Sequence, residues 1–92
     1  MKWEVLIKRK VTEKVSKMPV KIRDMLNTLV SEIEQAGPVR GNWPNYGKLD
    51  EHTHHCHIKK GNPYYVAVWE VTDKKIKLVE VKYVGTHEKA PY

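Results

Sequence analysis

Apolar and polar residues alternate from Lys2 to Lys8, with Trp3, Val5 and Ile7 on one side and Glu4, Leu6 and Lys8 on the other. That period predicts a half-buried strand. A basic stretch follows, in which Thr12 is placed to cap a short helix running to about Lys17. Pro19 is suited to open a second, longer helix, because the N–H it lacks has no helical partner at that position. Within that helix Ile22, Met25, Leu26, Leu29, Ile33 and Ala36 recur at helical spacing, and Gly37-Pro38 supplies the cap and the stop. These six are core positions with no assigned chemistry.

From Gly37 to about Leu49 the chain is rich in Gly, Pro and Asn and reads as a loop carrying Trp43 and Tyr46, aromatics that either stack on bases or, beside Pro44 and Gly47, pin the loop to the core. Three strands are predicted beyond it, over about His54 to Lys59, Tyr64 to Thr72 and Lys75 to Val84. Turns at Lys60-Gly61-Asn62-Pro63 and Asp73-Lys74 join them into a meander. In the last strand Ile76 and Leu78 share one phase and Val79, Val81 and Tyr83 the other, so a bulge is expected near Leu78-Val79. The order of strand, two helices and three strands implies a single α+β domain over residues 1–92. Its helices pack on one face of an antiparallel sheet and leave the other face open for function.

Composition narrows the class. A chain of 92 residues with 40% apolar content makes one compact domain, which buries about 60% of its unfolded-chain surface. The longest apolar runs, such as Val5-Leu6-Ile7 and Val66-Ala67-Val68, fall far short of a membrane span, and no signal-peptide core follows Met1-Lys2. The single Cys56 allows no intrachain disulfide and, if buried, is an inert small hydrophobe. A soluble protein of the bacterial cytoplasm is expected.

Lys plus Arg number 17 against 11 for Asp plus Glu, a formal net charge of +6 that favours an anionic partner. Lys8, Arg9, Lys10, Lys14, Lys17, Lys21 and Arg23 concentrate much of it in the first helices, either as a solvated face or as a grip on RNA phosphates. The densest chemistry lies in His52-Thr53-His54-His55-Cys56-His57-Ile58-Lys59-Lys60, which holds four of the five histidines. On a strand His55, His57 and Lys59 share one face, while His54 shares the other with the apolar Cys56 and Ile58. The second face should therefore meet the helices.

Two imidazoles of a His-x-His pair can bind zinc, but Cys56 points away and no Cys-x-x-Cys, His-Glu-x-x-His or carboxylate-rich partner completes a shell. Breaking an RNA backbone without a metal needs other groups: a base for the 2′-hydroxyl, an acid for the leaving 5′-oxygen, and cations for the phosphorane. Histidine, with a pKa of about 6.5, serves in either proton-transfer role. The closing segment Val84-Gly85-Thr86-His87-Glu88-Lys89-Ala90-Pro91-Tyr92 adds a fifth histidine, a lysine and a tyrosine beyond Gly85 as a hinge. If the last strand lies near the centre of the sheet, this segment can fold back across the open face and bring His87 and Tyr92 to His55 and His57.

The chain resembles the RelE/ParE superfamily of toxins, particularly its RelE and HigB-like ribonuclease branches. The resemblance covers nearly the whole chain. It is carried by the short strand with two helices, by His55-Cys56-His57-Ile58-Lys59, by Tyr65-Val66-Ala67-Val68-Trp69-Glu70-Val71, and by the segment Tyr83 to Tyr92. It implies a type II toxin that enters the ribosomal A site and cuts messenger RNA by 2′-hydroxyl attack without a cofactor. The partners it implies are a cognate antitoxin, the ribosome and its messenger, and operator DNA through the antitoxin complex. On matching positions His55 and His57 become base or phosphate stabiliser, His87 the acid, and Tyr92 the aromatic that stacks on a base. Arg40, Lys48, Lys59, Lys60 and Lys89 are the RNA-binding candidates.

One departure matters. Relatives carry an arginine after the aromatic that opens the central hairpin strand, where it clamps the scissile phosphate, but here Val66 follows Tyr65. Arg40, Lys48 or Lys59 would have to supply that cation, a lysine without the bidentate geometry of arginine. The alternative reading is a catalytically weak or inactive RNA-binding or antitoxin-binding module of the same fold, or a ParE-like gyrase inhibitor. The histidine and tyrosine of the closing segment argue against the gyrase version.

Overall fold

The computed structural model of the protein describes residues 2–59 and 63–92. Lys60 and most of the turn expected at Lys60-Gly61-Asn62-Pro63 lie outside the described residues. Strand β1 (Glu4–Ile7) leads directly into helix α1 (Arg9–Val15), and helix α2 (Val20–Ala36) follows. Thr12 does not cap α1 but lies inside it, its N–H donating to the Lys8 carbonyl at 2.9 Å. The helix opens earlier than expected because Val11 and Val15, four residues apart, are its core-facing pair. Pro19 occupies the N-cap of α2 with extended backbone, as its missing N–H allows. At the other end Gly37 has φ +99, which favours glycine, and a Cβ there would also crowd Trp3 Nε1 at 3.2 Å.

The remaining elements are β2 (Gly47–Lys48), β3 (Thr53–Lys59), β4 (Tyr65–Asp73), β5 (Leu78–Thr86) and a 3₁₀ turn at His87–Lys89. They form one sheet in the order β1-β5-β4-β3-β2. The meander of β3, β4 and β5 is antiparallel as expected, whereas β1 runs parallel to β5, which makes the sheet mixed. The two-residue β2, inside the expected loop, adds an antiparallel edge beside His54 and His55. Gly85 lies within β5 rather than at a hinge, and the chain turns away only at His87.

The last strand begins at Leu78, not Lys75, because residues 74–77 form the turn. Asp73 Oδ1 accepts the N–H groups of Lys75 and Ile76 there, Lys77 adopts φ +54, and Ile76 is left exposed. The register between β4 and β5 shifts twice. Val68 pairs Tyr83 while Trp69 pairs Val81, so Lys82 is the extra residue of β5; near Leu78-Val79 the extra residue is Thr72 of β4. The phase slip in the last strand is thus absorbed at two places rather than one.

Cross-strand partners share a face, so the core can be read off the ladder. Cys56, Ala67 and Val84 form one buried row beneath the helices, and His54, Trp69 and Val81 the next. Leu26, Leu29 and Ile33 of α2 complete this core. Loop 38–46 is fixed to it by a single carboxylate: Glu32 Oε1 accepts from Arg40 Nη1 at 3.2 Å, Asn42 Nδ2 at 2.9 Å and Trp43 Nε1 at 2.8 Å. These donors, Asn42 foremost, hold the Glu32 carboxyl below its ordinary range against the opposing effect of burial.

Candidate active site

The histidine strand divides as its alternation predicts. His54 turns to the helix side, where it is 3% exposed, its ring stacked on Trp69 and its Nδ1 2.7 Å from the Tyr46 hydroxyl. It is a structural side chain. Burial, assisted by the charge of Lys48, holds its pKa below the ordinary value. Cys56 is fully buried, and that burial pushes its thiol up to about 12, which removes it from nucleophilic chemistry. His52 stays exposed, its N–H held by Asp50 Oδ1.

His55 and His57 face away from the helices, and two cross-strand rows define what lies beside them. One row runs Gly47, His55, Val68, Tyr83; the next runs His57, Val66, Gly85. Val66 and Val68 are buried although no helix covers them, and rings shelter this face. Tyr92 lies 4.8 Å from His55 and 5.8 Å from His87, His87 lies 5.5 Å from His57, and Tyr64 lies 5.3 Å from His57, all between ring centroids. The fold-back of residues 87–92 is anchored by the His87 N–H, which donates to the Tyr64 carbonyl at 2.8 Å. The structure therefore gathers His55, His57, His87 and Tyr92 on one surface from two segments distant in sequence.

The three histidines differ in presentation. His87 is exposed, whereas His57 is nearly buried between Tyr64 and His87. In His55 the Nδ1 atom is buried without a hydrogen-bond partner, and Nε2 lies 3.1 Å from the point where a Cβ on Gly47 would stand. Burial first, and then the charge of His87, hold His55 below the ordinary imidazole pKa, so it is neutral at pH 7. Burial also raises the Tyr92 phenol, keeping it protonated as a hydrogen-bond donor.

The candidate cations scatter. Arg40 is committed to Glu32 on α2, so it pins the loop instead of facing the histidines. Lys48 pairs with His54 and so belongs to the opposite face. Lys59 ends β3 beside Tyr65, and Lys89 follows His87 in the 3₁₀ turn. Val66 forms the floor beside His57, so no strand arginine rises there. Farther along the open face Lys82 is neutralised by Glu80 at 2.6 Å and Glu70 at 3.3 Å. Lys14, read from the sequence only as one of the basic residues of the first helices, is the one that comes near this face, its Nζ 4.9 Å from the Tyr83 ring centroid. Among the described residues no group of three or more His, Cys, Asp or Glu side chains is placed to hold a metal ion.

His54 and His55 set the acid stability of the fold. Their folded-state pKa values lie below those of an exposed histidine, so the unfolded chain takes up protons first. Stability is full above a pH of about 6.5 and is lost as pH falls through the folded pKa values. Glu32 adds a second loss only below about 4.5, its ordinary value. The thermal midpoint should fall between pH 7 and pH 5, with a shallower slope in His54→Phe; a flat midpoint over that range would contradict the assignment.

No family model matches the chain, and no curated protein matches it by sequence. Solved structures do match. A doubly substituted mutant of E. coli toxin RelE in the free state superposes with a TM-score of 0.70 at 18% identity, over 96% of this chain and 86% of that one. The archaeal RelE–RelB complex from Pyrococcus horikoshii gives 0.74 at 13% identity, over 98% and 100%. The YoeB dimer from Staphylococcus aureus gives 0.70 at 15% identity, over 95% and 99%. The chain has the fold of the RelE and YoeB toxins.

Proposed function

We propose that this chain is the toxin of a type II toxin-antitoxin system, a metal-independent ribonuclease that cuts messenger RNA on the ribosome. The observation that carries the reading is the convergence of His55, His57, His87 and Tyr92 on the sheet face away from the helices. The RelE and YoeB neighbours, two of them solved in complexes with RelB and YefM, support an antitoxin as partner.

In this reading a phosphate docks across the exposed edge of the His57–His87 pair, whose ring centroids stand 5.5 Å apart in an edge-to-face contact. His57 accepts the 2′-hydroxyl proton, the 2′-oxygen attacks phosphorus, and His87 protonates the departing 5′-oxygen, leaving a 2′,3′-cyclic phosphate. His55, whose Nδ1 is buried, supports the Tyr92 ring, which stacks on a base beside the cleavage point. Lys59 and Lys89 contribute charge to the backbone path. Val66 favours a second reading, in which the fold binds RNA and antitoxin without efficient catalysis, since no cation rises from the floor.

Expression without an antitoxin should arrest growth and translation, with messenger cleavage seen only when ribosomes are present. A site this open holds short RNA too weakly for efficient cutting alone, and the ribosome presents the messenger to it. Efficient cutting of naked RNA contradicts that requirement. Intact messenger in arrested cells favours the second reading.

A further inference from the structure

A cavity of about 230 Å³ opens beside the histidines where α1 meets the end of β5, lined by Lys14, Met18, Tyr65, Gly85, Thr86 and Lys89. Two of its walls are cationic and none is acidic. Among the described residues neither lysine forms an ion pair, although Arg9 of the same helix does. The sheet prepares the position of Lys14. Gly85 stands in the row of His57 and Val66, and a Cβ there would lie 2.6 Å from the Tyr83 hydroxyl and 3.1 Å from Lys14 Nζ. The missing side chain admits the ammonium group, which rests over the Tyr83 ring while the Tyr83 hydroxyl donates to the Thr86 carbonyl. Tyr83 is thus held by the residue that precedes His87, and Lys14 is held by Tyr83.

We propose that Lys14 and Lys89 form a seat for the RNA phosphate next to the one attacked. An anion is the fitting occupant of a cavity with two unpaired ammonium groups, and Met18 and Tyr65 give an apolar wall for the attached sugar. Thr86 lines the cavity and directly precedes His87, so the cavity adjoins the histidine cluster. The seat supplies, from α1, cationic charge that the strand floor lacks at Val66. It rests on the RNA-cleaving reading for the identity of its ligand.

The test uses the full chain and an RNA pentanucleotide whose middle residue carries 2′-deoxyribose, so that it binds without being cut there. A neutral methylphosphonate is walked through its linkages. The scissile linkage lies on the 3′ side of the middle residue; in the wild type, neutralising one of the linkages next to it should weaken binding about 5- to 10-fold, in keeping with one lost charged contact. Lys14→Gln should weaken binding of the unmodified RNA by a similar factor, flatten its salt dependence by about one lost contact, and make that same methylphosphonate harmless. Lys14→Arg should restore most of the affinity, and Lys75→Gln, on the distant β4–β5 turn, should leave it unchanged. Because Lys14 is exposed, its thermal midpoint serves as a folding control. Wild-type affinity in Lys14→Gln, or losses that simply add, would overturn the proposal. Coupling between Lys14 and one linkage without cleavage on ribosomes refutes the ribonuclease and keeps the seat, whereas cleavage without coupling does the reverse.

Discussion

Replacing His87 by Gln should slow single-turnover cleavage on messenger-programmed ribosomes by about 100-fold or more, the contribution expected of one positioned general acid. The substitution keeps the length and part of the hydrogen bonding of the side chain but removes its titratable proton. His87 is exposed, and its backbone N–H, which anchors residues 87–92 to the Tyr64 carbonyl, is untouched. Ribosome binding should therefore change less than about two-fold, since it rests on many lysines and one neutral exchange leaves the phosphate contacts in place. Cleavage at the wild-type rate would move the acid to another group, and His57 is the next candidate by position.

Trp69→Ala should cost about 3–5 kcal/mol, the range for truncating a large buried aromatic. Trp69 is wholly buried on β4, its ring is parallel to His54 within 5°, and its Nε1 donates to the Pro38 carbonyl at 3.0 Å. His54 in turn meets Tyr46, so one indole joins the sheet to both ends of loop 38–46. Trp69→Phe should lose less, about 1–3 kcal/mol, mainly for the Pro38 carbonyl left without its donor. Urea unfolding of both variants reads the difference, with equal slopes confirming that the unfolded state has not changed. A loss under about 1 kcal/mol for the alanine variant would show that the cavity collapses and that Trp69 is not the keystone of the loop.

The alternation of β3 was legible because Cys56 and Ile58 mark the buried side of a strand otherwise made of histidine and lysine. That pattern separated the structural His54 from His55 and His57 before any coordinates. The meeting of His87 and Tyr92 with that strand was legible only as a condition on where the last strand sits. β2 was not legible, since Gly47 and Lys48 are too few to show a period and owe their pairing to the loop that carries them. Nor was the parallel partner of β1, because alternation reports which face is buried and not which strand lies alongside. Arg40 was misplaced for a related reason: Glu32 lies on α2, and only the return of the loop across that helix brings the two charges together. Lys14 offered no signal beyond being one lysine among several, since its setting depends on α1 lying along β5.

The parallel pairing of β1 with β5 has a consequence for the order of assembly. Glu4 finds its partner at Leu78, so this edge of the sheet closes a loop containing nearly every other element. Loop-closure entropy must be met before that contact repays it, which makes the pairing slow compared with the local β3–β4 and β4–β5 hairpins. α1 follows β1 without a linker, so Lys14 reaches Tyr83 in the same event that docks β1. His87 follows β5 just as directly. His87 therefore arrives with the local hairpins, and a partly folded chain can hold the histidines together while still lacking the cation beside Gly85. The cavity at Lys14 is complete only with the final, most non-local contact of the fold.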